Sequence, residues 1–137
     1  MAPTVATYKT AGVSGVTDAN VASVNDALAT AAVTGDSVST VAKLQQVVTA
    51  YLRILNAANL QVDAGGTQGL PTGDDYTLIG VTGLESGTAL RDVKVKLLDD
   101  VIDRKGAFEV DTVKEIQALA DVVSAVMEAA KGRSEER

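Results

Sequence analysis

Pro3-Thr4-Val5-Ala6-Thr7-Tyr8-Lys9-Thr10-Ala11-Gly12-Val13-Ser14-Gly15-Val16 and Pro71-Thr72-Gly73-Asp74-Asp75-Tyr76-Thr77-Leu78-Ile79-Gly80-Val81-Thr82-Gly83-Leu84 lie 68 positions apart. Pro, Thr, Tyr, Gly, Val and Gly recur in register, which marks an internal duplication. Further along, Val38-Ser39-Thr40-Val41-Ala42-Lys43-Leu44-Gln45 matches Val110-Asp111-Thr112-Val113-Lys114-Glu115-Ile116-Gln117 at an offset of 72. Between these blocks, Val21, Val24 and Leu28 line up with Leu90, Val93 and Leu97. The second copy is therefore four residues longer, and this alignment places the extra residues mainly in the loop from Asp103 to Phe108.

Each copy reads as three helices. Thr4 and Thr72 follow a proline and suit helix N-caps, and Thr72-x-x-Asp75 has the form of a capping box. Gly12 and Gly80 sit where a left-handed residue ends a helix, with Val13 and Val81 placed for the hydrophobic contact beyond it. Gly15 and Gly83 permit a tight turn. The second helix is predicted to begin near Thr17/Asp18 and near Ser86. Its apolar stripe is Val21, Val24, Leu28 in one copy and Leu90, Val93, Leu97, Val101 in the other. Val93 to Leu97 alternates like a strand, but its counterpart Val24 to Leu28 does not, so the helix is preferred.

The third helix is the longest. Its stripe is Val41, Leu44, Val48, Tyr51, Leu55, Ala58, and then Val113, Ile116, Ala120, Val123, Met127, Ala130. Ser39/Thr40 and Asp111/Thr112 are its N-cap candidates, and Thr112-x-x-Glu115 is a second capping box. The predicted fold is all-α, two tandem three-helix bundle repeats: residues 1–60, a Gly-rich linker at 61–70, residues 71–131, and a frayed tail at 132–137. Such thin units, built on Val, Ala and Leu, lean on their neighbours. Tyr8 and Tyr76 are expected to bury their rings and keep their hydroxyls at the core's edge.

Composition narrows the chemistry. The 137 residues hold no Cys, no His and no Trp, and aromatics make up 3%. The usual zinc, iron–sulfur and haem ligand sets are excluded, as are Ser-His-Asp and Cys-His centres. A net charge of −6 argues against nucleic acid as a partner. That charge is lopsided: the first 68 residues carry net −1, the rest net −5. No stretch suits a membrane span, and Met1-Ala2-Pro3 does not open a signal peptide.

The carboxylate clusters are the site candidates. Asp74-Asp75 falls in a first helical turn, where the helix dipole favours acids. Asp99, Asp100 and Asp103 lack the spacing, central Gly and closing Glu of an EF-hand loop, and a solvated face is the preferred reading. Metal binding at Asp99 to Asp103 stays open. Gly65-Gly66-Thr67-Gln68-Gly69 lacks the Lys-Ser/Thr end of a phosphate loop and reads as linker. Arg91, Lys94, Lys96, Arg104 and Lys105 form a basic segment, with Lys94 expected to pair within the Asp-rich stretch 99–103. No catalytic, cofactor-binding or metal-ligating residue is assigned, and no enzyme activity or cofactor is expected.

Tyr-x-x-x-Gly-Val-[Ser/Thr]-Gly-[Val/Leu], Thr17-Asp18-Ala19-Asn20-Val21-Ala22-Ser23-Val24-Asn25-Asp26-Ala27-Leu28 and Val-[Ser/Asp]-Thr-Val-x-x-[Leu/Ile]-Gln together resemble the tandem helical repeats of very large secreted or surface-anchored bacterial proteins of adhesin type. The resemblance covers nearly the whole chain. It implies an extracellular or cell-surface location, tandem arrangement and no catalysis, with neighbouring repeats of the same chain and a protein or matrix ligand as partners. It carries no site residues. The second copy departs from it at Arg91, Lys94 and Lys96. The layout is also similar to three-helix albumin-binding modules, which makes a host-protein-binding module one alternative. A small intracellular protein, for example a cytoplasmic phage or assembly component, is the other.

Overall fold

A computed structural model describes residues 3–30, 35–36, 39–60 and 69–135, with side chains to residue 130. Every regular element among them is helical: α1 (Val5–Ala11), α2 (Val21–Leu28), α3 (Val41–Ala57), α4 (Gly73–Leu78), α5 (Arg91–Asp103) and α6 (Val113–Glu135), with a 3₁₀ turn at Ala107–Glu109. An isolated antiparallel bridge joins Asn59 to Gly106. The fold is all-α. No helix among the described residues is long and apolar enough to cross a membrane.

The helix ends follow the sequence closely. Thr4 and Thr72 cap α1 and α4 through reciprocal boxes, the first using Thr7 and the second Asp75. Past each helix the chain turns through a left-handed glycine, Gly12 at φ 91° and Gly80 at φ 99°. The amide of Val13 then donates to the Tyr8 carbonyl at 2.9 Å, and that of Val81 to Tyr76 at 3.0 Å, which is the Schellman closure. Thr40 caps α3, and Thr112 and Glu115 form the box that opens α6.

Three local expectations are corrected. The second helices begin later than predicted, at Val21 and Arg91. Leu90 lies outside α5, as a left-handed N-cap at φ 61°. The buried face of α5 carries Lys94, Leu98, Asp99, Ile102 and Asp103, and Val93 is 44% exposed. The inward stripe therefore runs one position later than Val93, Leu97 and Val101, and three of its members are charged. Lastly, α6 is helical through Glu135, so residues 132–135 continue the helix. Residues 61–68 and 136–137, most of the expected linker and the end of the expected tail, lie outside the described residues.

The two cores differ in size. A small cluster holds Tyr8, Val13, Val24 and Val48, all from the first copy. The large cluster joins Tyr76, Ile79, Val81, Leu84, Leu98, Ile102, Ile116 and Val123 with Ala50, Tyr51, Ile54 and Ala57 of α3. Each fully buried Val, Leu or Ile contributes roughly 1.5–3 kcal/mol. So α3, which belongs to the first copy by sequence, supplies side chains to the main core of the second. It packs on α4 as heavily as α5 packs on α6.

Candidate functional site: the joint between the two halves

Two local devices are built twice. The first is a tyrosine anchor. The Tyr8 hydroxyl donates to Asn25 Oδ1 at 2.5 Å, and the Tyr76 hydroxyl donates to Asp99 Oδ1 at 2.5 Å. The second is a glutamine clamp. Gln45 accepts from the Ser14 amide at 2.8 Å and returns a bond to its carbonyl at 3.0 Å; Gln117 treats Thr82 identically, at 2.8 and 3.0 Å.

These devices give a second register for the duplicated sequence. Tyrosine and partner are 17 residues apart in the first copy and 23 in the second. Six extra residues thus lie before Asp99, two ahead of α5 and four within its first turn, and two fewer follow it. They form the stretch from Glu85 into the start of α5, which Arg91 ties down. Its Nε donates to the Leu84 carbonyl at 2.7 Å and its Nη2 pairs with Asp74 at 2.7 Å. A Cβ on Gly73 would lie 2.7 Å from this guanidinium, so glycine stands there where the first copy has Val5.

The halves meet through polar groups as well as apolar ones. Asp26 of α2 accepts the first amide of α6, Val113 N–H, at 2.7 Å. It serves as a cap delivered from another helix, at the positive end of α6. Ser23 donates to the Asp111 carbonyl at 2.7 Å, and the fully buried Tyr51 hydroxyl donates to the Val110 carbonyl at 2.9 Å. Three side chains of the first half therefore hold residues 110–113 of the second. On the other side of α3, Arg53 pairs with Asp75 at 2.7 Å, and the same carboxylate closes the capping box on Thr72. Thr30 packs against Gly80, where an added Cβ would come within 2.2 Å of its hydroxyl.

Burial sets the electrostatics. It pushes the Tyr8 hydroxyl up, and the Tyr51 and Tyr76 hydroxyls further, Tyr51 with help from Asp26 and Tyr76 from Asp99. Burial also lifts Asp99 to about 7, a rise that the Tyr76 hydrogen bond opposes and the Asp75 charge assists. Glu115 is raised by its hydrogen bond to the neighbouring Asp111 carboxyl.

The candidate clusters are placed as follows. Asp74 and Asp75 occupy the first turn of α4, each engaged by an arginine. Asp99 binds Tyr76, and Asp100 pairs with Arg104 at 3.4 Å. No group of three or more carboxylates close enough to hold a metal ion occurs among the described residues. Lys94 reaches Glu128 on α6 at 3.3 Å, not the Asp-rich end of its own helix. Of the Gly-rich stretch only Gly69 is described, at φ 75°. A cleft of about 390 Å³ is lined by Thr72, Gly73, Arg91, Asp92, Lys96 and Asp99. Another of about 410 Å³ lies between Leu52, Leu55 and Phe108, and Phe108 is 67% exposed. The second helices present no shared apolar patch: α5 exposes Val93, and α2 exposes no large hydrophobic residue.

The sequence places Tyr51 in the apolar stripe of the third helix but does not mark it, Arg53, Ser23 or Asp26 as joint residues. A Tyr and an Arg on a Val/Ala/Leu-rich third helix were the visible signal for two of them. Comparison with protein-family models, curated proteins and solved structures found no match.

Proposed function

We propose that the chain is a non-catalytic structural module: two tandem three-helix repeats of one plan, acting as a spacer in a large extracellular bacterial protein and holding any binding face at a fixed distance. The observation that supports this best is the pairing of twice-built devices with a locked joint. The tyrosine anchors and glutamine clamps support reading each unit as a copy of the other. Asp26, Ser23, Tyr51 and Arg53 then tie unit to unit through side chains that are satisfied within the joint. Directional contacts of this kind, with the Tyr51 bond buried and the rest partly so, fix an orientation, whereas apolar packing alone tolerates sliding. Repeat arrays draw their stability from such nearest-neighbour interfaces. The extracellular setting and the adhesin-type parent rest on the sequence resemblance.

Pulling the chain by its two ends tests the reading. A spacer locked at the joint gives one rupture that releases both units together. Two ruptures, each releasing one unit, would contradict it. Turnover of any substrate that survives Asp99→Asn but is lost with Arg91→Ala would point instead to chemistry in the cleft beside α5.

A further inference from the structure

Among the described residues, the faces of α6 and α1 that correspond to the inner joint have no neighbour packed on them. The glutamine clamps and threonine caps align α3 with α6 at an offset of 72, and the tyrosine anchors align α1 with α4 at 68. On this register, the α3 positions that the second half covers are Ala50, Ile54 and Ala57, with Arg53 reaching Asp75. Their counterparts on α6 are Val122, Val126, Ala129 and Ala125. All four are exposed, Val122 at 60% and Val126 at 51%.

The partner face shows the same contrast. Asp75, Ile79 and Gly80 are buried on and just after α4, Asp75 against Arg53 and Gly80 against Thr30 of the first half; Pro71 and Gly73 are buried too, Gly73 under Arg91 of its own half. The matching Pro3 and Val5 are half-buried, and Thr7, Ala11 and Gly12 are exposed. The described residues therefore present an α3-like face on α6 and an α4-like face on α1, neither covered as its counterpart is.

The substitutions between the two sets are matched. Where the inner joint has Arg53 against Asp75, the outer faces have Ala125 and Thr7, so the cation and the anion are lost together. A charge left on one face alone would be stranded on contact. On α6 the exposed positions recur at spacings of four and three, Ala118, Val122, Ala125 and Ala129, the seam along which another helix packs.

We propose that this face of α6 receives the α1 face of a second copy of the chain, repeating the α3–α4 contact between molecules. The contact is heterologous, using different surfaces on the two copies. It generates open head-to-tail chains instead of a closed dimer. The proposal rests on reading α3–α4 as a repeat-to-repeat joint, and it names that joint's external partner.

Sedimentation velocity on the full chain, from micromolar to millimolar concentration, is the test. The average mass is expected to rise with concentration and pass beyond the dimer. Val126→Asp and Ala11→Asp should each abolish growth while circular dichroism stays unchanged, because both positions are solvent-facing. Mixed together, the two variants each keep one intact face and should form a one-to-one pair that grows no further. Thr7→Asp mixed with Ala125→Arg recreates the inner ion pair and should associate several-fold more tightly than either variant alone. A wild-type chain that stays monomeric throughout overturns the proposal, as does growth that stops at a symmetric dimer. Neither result touches the internal joint, which fails only if the two halves unfold separately.

Discussion

The two tyrosine anchors are the same device in different surroundings. Tyr8 gives its hydrogen bond to an amide in a small cluster, and the outer face of α1 is exposed at Thr7 and Ala11 among the described residues. Tyr76 gives its bond to a carboxylate, and α3 of the preceding half packs over α4. Depth of burial is thus conferred by the neighbouring unit. The second bond titrates and the first does not, because Asp99 is a largely buried carboxyl and Asn25 has no proton to lose.

Removing the rings should separate the halves most. Tyr76→Ala opens the main core and is expected to cost about 3–5 kcal/mol, with Tyr8→Ala costing roughly half as much, by urea denaturation. Equal losses would mean that the cores are equivalent after all.

The next largest contrast is pH dependence. Asp99 holds its proton more tightly folded than unfolded, so the folded state binds more protons between the ordinary carboxylate value of about 4 and its raised value of about 7. The stability this proton brings is complete at the acid end of that window, declines as pH rises through it, and is gone above it. Asp99→Asn, which makes the second anchor chemically like the first, should flatten the decline in urea midpoint. Asn25→Asp should install a shallower one in the first half. A decline unchanged in Asp99→Asn would place its origin elsewhere.

Arg53→Ala leaves Asp75, 8% exposed on its side chain, with only the Thr72 amide as partner. A loss of about 1–3 kcal/mol is expected. Its counterpart in the second copy, Ala125, carries no such bond, so Ala125→Ser should be neutral to within about 0.5 kcal/mol. Asp26→Ala removes the cap on Val113 and should cost about 1 kcal/mol in thermal unfolding.

The comparison also explains what could be read beforehand. Caps, left-handed glycines and the capping boxes at Thr72 and Thr112 are local, decided within a few residues of Thr4, Gly12, Thr72, Gly80 and Thr112, and sequence shows them directly; the third box, Thr4 with Thr7, lacks the acidic residue that marks the others. The alignment of the second helices is different. Val21, Val24 and Leu28 match Leu90, Val93 and Leu97 in spacing, but they match Val95, Leu98 and Ile102 equally well. A helical stripe looks the same after a slip, and only the hydroxyl partners, Asn25 and Asp99, decide the register. The inward charges of α5 misled for a related reason: Lys94 is buried because Glu128 waits on another helix. The joint was least legible, since Asp26 and Val113 are 87 residues apart and no local pattern links them.

The central claim is that two copies of one plan form a single cooperative unit, because α3 serves the core of its successor and Asp26, Ser23 and Tyr51 hold residues 110–113. Differential scanning calorimetry tests it most directly. The account predicts one transition, with equal calorimetric and van't Hoff enthalpies. Two transitions, or a calorimetric enthalpy near twice the van't Hoff value, would show two independent bundles and contradict it.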